Sequence, residues 1–216
     1  MTQVKICGLK EPETLRTAVQ AGAEWIGFML YDKSPRAVTP AAVSTLLLGI
    51  GNSVPVAVMV DPDDALIDQV AAMGIRTFQL HGGETPERIQ TIKQRTDAEI
   101  WKALGVSSAE DLKNTVNYSG SADRLLLDAK PPKGAENSGG LGEAFDWTLL
   151  KDWDAPLPWL LAGGLDAGNV REAIQITGAT AVDVSSGVER ARGLKDSALI
   201  KDFITAAKSA AKVDHT

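Results

Sequence analysis

One feature constrains this chain more than any other. A short apolar run of strand-forming residues is followed by a capped helix, eight times over in 216 residues. Parallel strands need long crossovers, and helices are the usual ones, so this alternation implies a parallel sheet covered by helices. The expected strands are 2–8, 24–29, 54–60, 75–80, 99–104, 124–127, 158–162 and 181–184. The third, V-P-V-A-V-M-V, is nearly continuous in apolar residues, the pattern of a strand buried on both faces. The expected helices are 11–21, 41–48, 64–73, 85–95, 108–116, a short sixth after Trp147, 167–177 and 196–212. Thr39-Pro40 and Thr85-Pro86 open two of them as cap and first-turn proline, and Gly74 ends another.

Eight parallel units without polar edge strands fit a single-domain (βα)8 TIM barrel over residues 1–212, with 213–216 as a frayed tail. The alternative is a doubly wound open sheet. It should carry a G-x-G-x-x-G turn after the first strand, where this chain has Cys7-Gly8-Leu9-Lys10. Net charge is −6, which argues against nucleic acid or an anionic membrane as partner. A single cysteine rules out an internal disulfide and fits a reducing compartment. No apolar run nears the roughly 18 residues a membrane span needs, and the first residues resemble no signal segment. The expected location is the cytoplasm, and the expected assembly a monomer or homodimer.

In such barrels the chemistry sits where strands end and the following loops begin. In the first strand Lys5 and Cys7 share one face and Val4 and Ile6 the other. A lone cysteine is most often a small buried hydrophobe, but this one ends a strand. To act as a base it needs a nearby cation, and Lys5 is the candidate. Asp128 ends the sixth strand, either as a loop-capping carboxylate or as the partner of Cys7 in acid–base work. Asp61 stands at the end of the third strand. Arg36 lies in the long loop 30–39; it is a solvated turn residue or a bidentate clamp for a carboxylate. His81 follows the fourth strand and reads as a structural histidine or a binding residue. With His215 as the only other histidine, a histidine-rich metal site is not available, and no cofactor is expected. Gly163-Gly164 and Ser186-Gly187 follow strands seven and eight, where backbone N–H groups can hold phosphate. The loop 129–143 is long enough to be a lid.

These motifs occur together in a recognisable order. They are Lys5-Ile6-Cys7-Gly8, Ser34-Pro35-Arg36, Gln79-Leu80-His81-Gly82, Asp128, Gly139-Gly140, Phe145-Asp146-Trp147, Leu161-Ala162-Gly163-Gly164-Leu165 with Asn169, and Val182-Asp183-Val184-Ser185-Ser186-Gly187-Val188-Glu189. The whole chain resembles the phosphoribosylanthranilate isomerase family of tryptophan biosynthesis. It departs at Leu141, where that family usually has threonine. The resemblance implies an Amadori rearrangement of a phosphorylated small molecule, with Asp128 as acid and Cys7, as thiolate, as base. It places Arg36 on the anthranilate carboxylate and the glycine loops on the phosphate. It also requires Asp128 to hold its proton more firmly than a free carboxyl, which burial under the 129–143 lid would supply.

Two other readings compete. An epimerase or aldose–ketose isomerase would show metal ligands at several strand ends, or a second aspartate in place of Cys7. A non-catalytic sensor of phosphorylated ligands would have no need of Cys7 and Asp128 together.

Overall fold

The computed structural model describes residues 1–129 and 146–210. Eight strands close into a parallel barrel in chain order: β1 (Gln3–Cys7), β2 (Trp25–Met29), β3 (Val54–Met59), β4 (Thr77–Leu80), β5 (Glu99–Val106), β6 (Arg124–Ala129), β7 (Trp159–Leu161) and β8 (Ala181–Val184). β8 pairs back onto β1 with Asp183 opposite Lys5. This is the expected (βα)8 architecture, and closure excludes the open sheet. Around it lie α1 (Pro12–Ala21), α2 (Pro40–Leu47), α3 (Asp64–Ala72), α4 (Pro86–Thr96), α5 (Ala109–Lys113), α6 (Val170–Thr177) and α7 (Ser197–Lys208). The expected tail 213–216, the end of the last helix and most of the proposed lid, Leu141 included, lie outside the described residues.

The strand alternation sorts side chains between two cores. Val4 and Ile6 join the outer core between sheet and helices, while Cys7 joins Trp25, Val56, Trp101 and Leu126 inside the barrel. α7 shows why its helix forms where it does. Asp196 caps it by accepting from the Ala198 N–H at 2.8 Å. Ile200, Phe203, Ile204 and Ala207, at i, i+3, i+4 and i+7, then bury one stripe, worth about 1.5–3 kcal/mol for each large side chain. Inside, Trp25 and Trp101 meet edge to face at 5.2 Å, and the Arg124 guanidinium stacks 5.3 Å from both rings. Trp25 and Arg124 begin their strands, so this stack plugs the amino-terminal end. Among the described residues this leaves the opposite mouth as the side open to a ligand.

Three elements differ from expectation. The sixth helix is a single 3-10 turn, Trp147–Leu150, capped by Asp146. Asp152 at φ 59°, then Pro156 and Pro158, leave no length for an α-helix. The fifth breaks after Lys113 into a 3-10 turn, Asn114–Tyr118, where N-T-V-N supplies weak helix formers. A hairpin absent from the sequence reading, β9 (Glu189–Ala191) and β10 (Leu194–Lys195), follows the eighth strand. Gly193 turns it at φ 78°, and any Cβ there would come within 2.6 Å of the Pro35 carbonyl oxygen.

A buried ion pair braces the loop after β4. Lys102 Nζ donates to Glu84 Oε2 at 2.6 Å and to the Gly82 carbonyl at 2.7 Å, with both side chains 1% exposed. Glu84 in turn accepts from the N–H groups of Asp61 and Gly82. Lys102→Met would leave the Glu84 carboxylate buried and uncompensated. The expected cost is about 3–5 kcal/mol, read from the denaturant midpoint. A midpoint within 0.5 kcal/mol-equivalents of the parent, on the order of a surface substitution, would contradict it.

Candidate active site

β1 brings Lys5 and Cys7 into the barrel mouth together. A Cβ placed at Gly27, the β2 partner of Cys7, would lie 3.0 Å from the Cys7 sulfur and 3.1 Å from Lys5 Nζ. Glycine at 27 is what lets the thiol and ammonium occupy that space. Lys5 is fully buried and donates to Asp183 Oδ1 at 2.9 Å. Burial alone would lower its pKa, but Asp183 and Cys7 outweigh burial and hold it raised. From its place on β1, Lys5 is the cation expected to draw the thiol down. The pull exists, but it is not the larger effect. Burial dominates, Lys5 opposes it, Asp183 adds to it, and the net result is a Cys7 thiol pushed up. Burial of the sulfur thus favours its protonated form.

Arg36 is buried, not a solvated turn residue. Its Nε and Nη2 donate to the two oxygens of Glu189 at 2.6 and 2.9 Å, a bidentate pair spanning 153 residues. Gly8, at φ 78°, packs beneath it: a Cβ there would meet Arg36 Cδ at 2.9 Å. Glu189 also accepts from Lys195 Nζ at 2.8 Å and from the Gly193 N–H at 2.9 Å. Burial would push the Glu189 carboxyl up; Arg36 and Lys195 outweigh it and hold the group at about 2. Lys195 is buried as well, and burial, against the pull of Glu189, leaves its pKa lowered. It donates to the carbonyl of Ser185 at 2.8 Å, and Ser185 Oγ donates to the Cys7 carbonyl at 3.2 Å. The unforeseen hairpin thus ties the Arg36 loop to the strand end that carries Cys7.

Asp128 points into the mouth from β6 and its Oδ1 accepts from the Ala129 N–H at 2.8 Å. His81 Nε2 stands 3.5 Å from Asp128 Oδ2. Gly163, at φ 83°, lies against the same carboxyl: a Cβ there would come within 2.9 Å of Oδ1 and 2.3 Å of the Ala129 nitrogen. A small cavity of about 50 Å³ connects Asp128 and Asp183 with Gly163, Gly164, Ser185 and Ser186. Its two glycine loops are locked together, since a Cβ at Gly187 would fall 1.9 Å from the Leu165 carbonyl oxygen. Asn169, the cap of α6, fixes the first loop by donating to the Gly164 carbonyl at 2.8 Å.

The structure therefore gathers Lys5, Cys7, Arg36, His81, Asp128, Gly163, Gly164, Ser186 and Gly187 at one end of the barrel. Asp61 takes the bland role, accepting from the Gly83 N–H at 2.7 Å within the β4 loop. Among the described residues no group of three or more His, Cys, Asp or Glu is placed to hold a metal ion. No helix among them is long and apolar enough to cross a membrane. The sequence reading missed Glu189, Lys195, Asp183 and Gln79 as site residues.

Residues 4–206 match the family model described as N-(5'-phosphoribosyl)anthranilate (PRA) isomerase. The chain belongs to this family. A relative named N-(5'-phosphoribosyl)anthranilate isomerase, from Hyphomonas neptunium, is 55% identical over 209 residues, covering 97% of this chain and 98% of its own. The phosphoribosyl anthranilate isomerase structure from Thermotoga maritima superposes with a TM-score of 0.86 at 36% identity, over 96% of this chain and 99% of that one. Another structure of that isomerase, bound to reduced 1-(o-carboxyphenylamino)-1-deoxyribulose 5-phosphate, gives 0.83 at 34% identity with the same coverage.

Proposed function

We propose that this chain isomerises N-(5-phosphoribosyl)anthranilate to 1-(2-carboxyphenylamino)-1-deoxyribulose 5-phosphate in tryptophan biosynthesis, in the cytoplasm, with Asp128 as acid and Cys7 as base. The observation that carries the assignment of residues is the order of groups around one mouth. Arg36 lies beside the Cys7 strand end through Gly8, and the glycine loops lie beside Asp128. A ligand carrying a carboxylate at one end and a phosphate at the other would place its sugar between thiol and carboxyl.

The steps balance without an outside electron donor or acceptor. Asp128 gives its proton to the furanose oxygen as the C1–O bond breaks, and the nitrogen lone pair forms an iminium. Cys7, as thiolate, removes the C2 proton; that bond's electrons form C1=C2 and return a pair to nitrogen. The enolamine then tautomerises: the C2 hydroxyl gives up its proton as the C2=O bond forms, and C1 takes one up, so no net proton is consumed. The protein supplies placement and two proton-transfer groups. Glu189 engages Nε and Nη2, which orients the guanidinium and leaves the N–H groups of its other edge to take a substrate carboxylate.

Substrate fluorescence lost on adding purified protein tests the activity; no loss with intact fold would reject it. Arg36→Met is expected to raise KM about 10- to 100-fold with kcat changed less than about threefold, since a hydrogen bond to a charged group is worth roughly 1.5–3 kcal/mol. Glu189→Gln keeps the Arg36 charge but loosens its anchor, so its KM should rise by a smaller factor. An unchanged KM in Arg36→Met would rule out the clamp. The Glu189 carboxyl is held below its unfolded value, so its anchoring is complete above about pH 4.5 and is lost only as pH falls through about 2. KM should accordingly show no dependence on this group between pH 6 and 9.

A further inference from the structure

Gln79 is 1% exposed and lies on the inward face of β4, two residues before His81. Its amide nitrogen sits 3.2 Å from His81 Nδ1, while its Oε1 has no partner among the described residues. On the other side of the ring, His81 Nε2 faces Asp128 Oδ2 at 3.5 Å. An ionised carboxylate only accepts, so the ring nitrogen facing it carries the hydrogen. A neutral imidazole then has a bare Nδ1, which needs a donor. The Gln79 amide is that donor. The three side chains agree on one direction of donation, from Gln79 through His81 to Asp128.

We propose that His81 is a positioning residue for Asp128, and that Gln79 sets the tautomer His81 needs. This rests on the assignment of Asp128 as the acid. Asp128 starts its step as a neutral carboxyl and ends it as a carboxylate. The His81 N–H holds the carboxyl in one orientation throughout, so the proton is presented to the ring oxygen without a search of rotamers, which raises kcat rather than affinity. A resting separation of 3.5 Å leaves room for the contact to shorten in the substrate complex. The proton on Nε2 is not consumed; it stays on the ring and steadies the charge left on Asp128. The opposite tautomer would point a bare nitrogen at that charge.

With only two histidines in the chain, nitrogen-15 NMR can follow His81 directly, His215 being the other signal. The parent should show the proton on Nε2. Gln79→Met, similar in volume but without a donor, should shift His81 toward a tautomer mixture and lower kcat about 3- to 10-fold. His81→Leu should lower kcat about 10- to 30-fold with KM unchanged, and His81→Gln should recover part of the loss through its own terminal N–H. In an Asp128→Asn background, His81→Leu should cost nothing more, because the two act as one unit. A parent with the proton on Nδ1, a Gln79→Met variant with unchanged tautomer and kcat, or fully additive losses would overturn the proposal. If Asp128→Asn itself keeps parental turnover, the acid assignment fails instead. If Asp128→Asn is crippled and His81→Leu is not, only the role of His81 fails.

Discussion

Cys7→Ala is expected to lower kcat by at least ~100-fold while KM stays within a factor of about three. The loss corresponds to roughly 2.7 kcal/mol of barrier. In the proposed role the sulfur acts on the reacting carbon and binds neither end of the ligand, so affinity should survive its removal. Cys7→Ser serves as the packing control: a hydroxyl nearly fills the space but forms no anion at working pH, so it should fail as badly. The pH profile carries a sharper test. The working pair is thiolate with carboxylic acid, whereas a carboxyl is ordinarily the stronger acid of the two. The pair at rest therefore holds the same single proton on sulfur, as burial of Cys7 also favours. Both arrangements contain one proton, so their ratio does not change with pH until that proton is lost. kcat/KM should stay level through neutral pH and fall only above about 8.5, the ordinary thiol value, because Cys7 is pushed upward. A fall beginning below pH 8 would show that the sulfur is not the group losing the proton. Near-parental turnover in Cys7→Ala would remove it from the mechanism outright.

What the sequence made legible follows from the alternation. Once β1 has a phase, Lys5 and Cys7 must face the same way, and Asp128 at the end of R-L-L-L must stand at the mouth. Gly8, Gly163 and Gly187 were visible as turns; that they make room for Arg36, Asp128 and Leu165 needed the third dimension. The charged network was hidden for a physical reason. Glu189 and Lys195 lie in a short charged segment with the pattern of a solvated loop, and their burial depends on Arg36, 153 residues from Glu189. No local pattern announces a pairing at that separation. Gln79 and Asp183 could have been found. Each interrupts an apolar strand, in T-F-Q-L and A-V-D-V, at an inward position two residues before the strand's functional end. A polar residue at such a position must have a partner inside.

Asp128→Asn is expected to reduce kcat by about 10²- to 10⁴-fold with KM nearly unchanged. The amide keeps an oxygen for the Ala129 N–H and the shape that Gly163 admits, so the change removes the proton and little else. Loss of turnover alone would not separate an acid from a structural strut. The step it serves does. On the proposed route Cys7 removes the C2 hydrogen, and substrate deuterated at C2 is expected to react more slowly with the parent. With Asp128 disabled, ring opening becomes slow and precedes that step, so the deuterium effect on kcat should fall toward one. In Cys7→Ala the order is reversed, and the effect should persist or grow. The two variants, equally impaired in simple assays, thus diverge in isotope sensitivity because each blocks a different bond. A deuterium effect kept at full size in Asp128→Asn would mean that another group opens the ring.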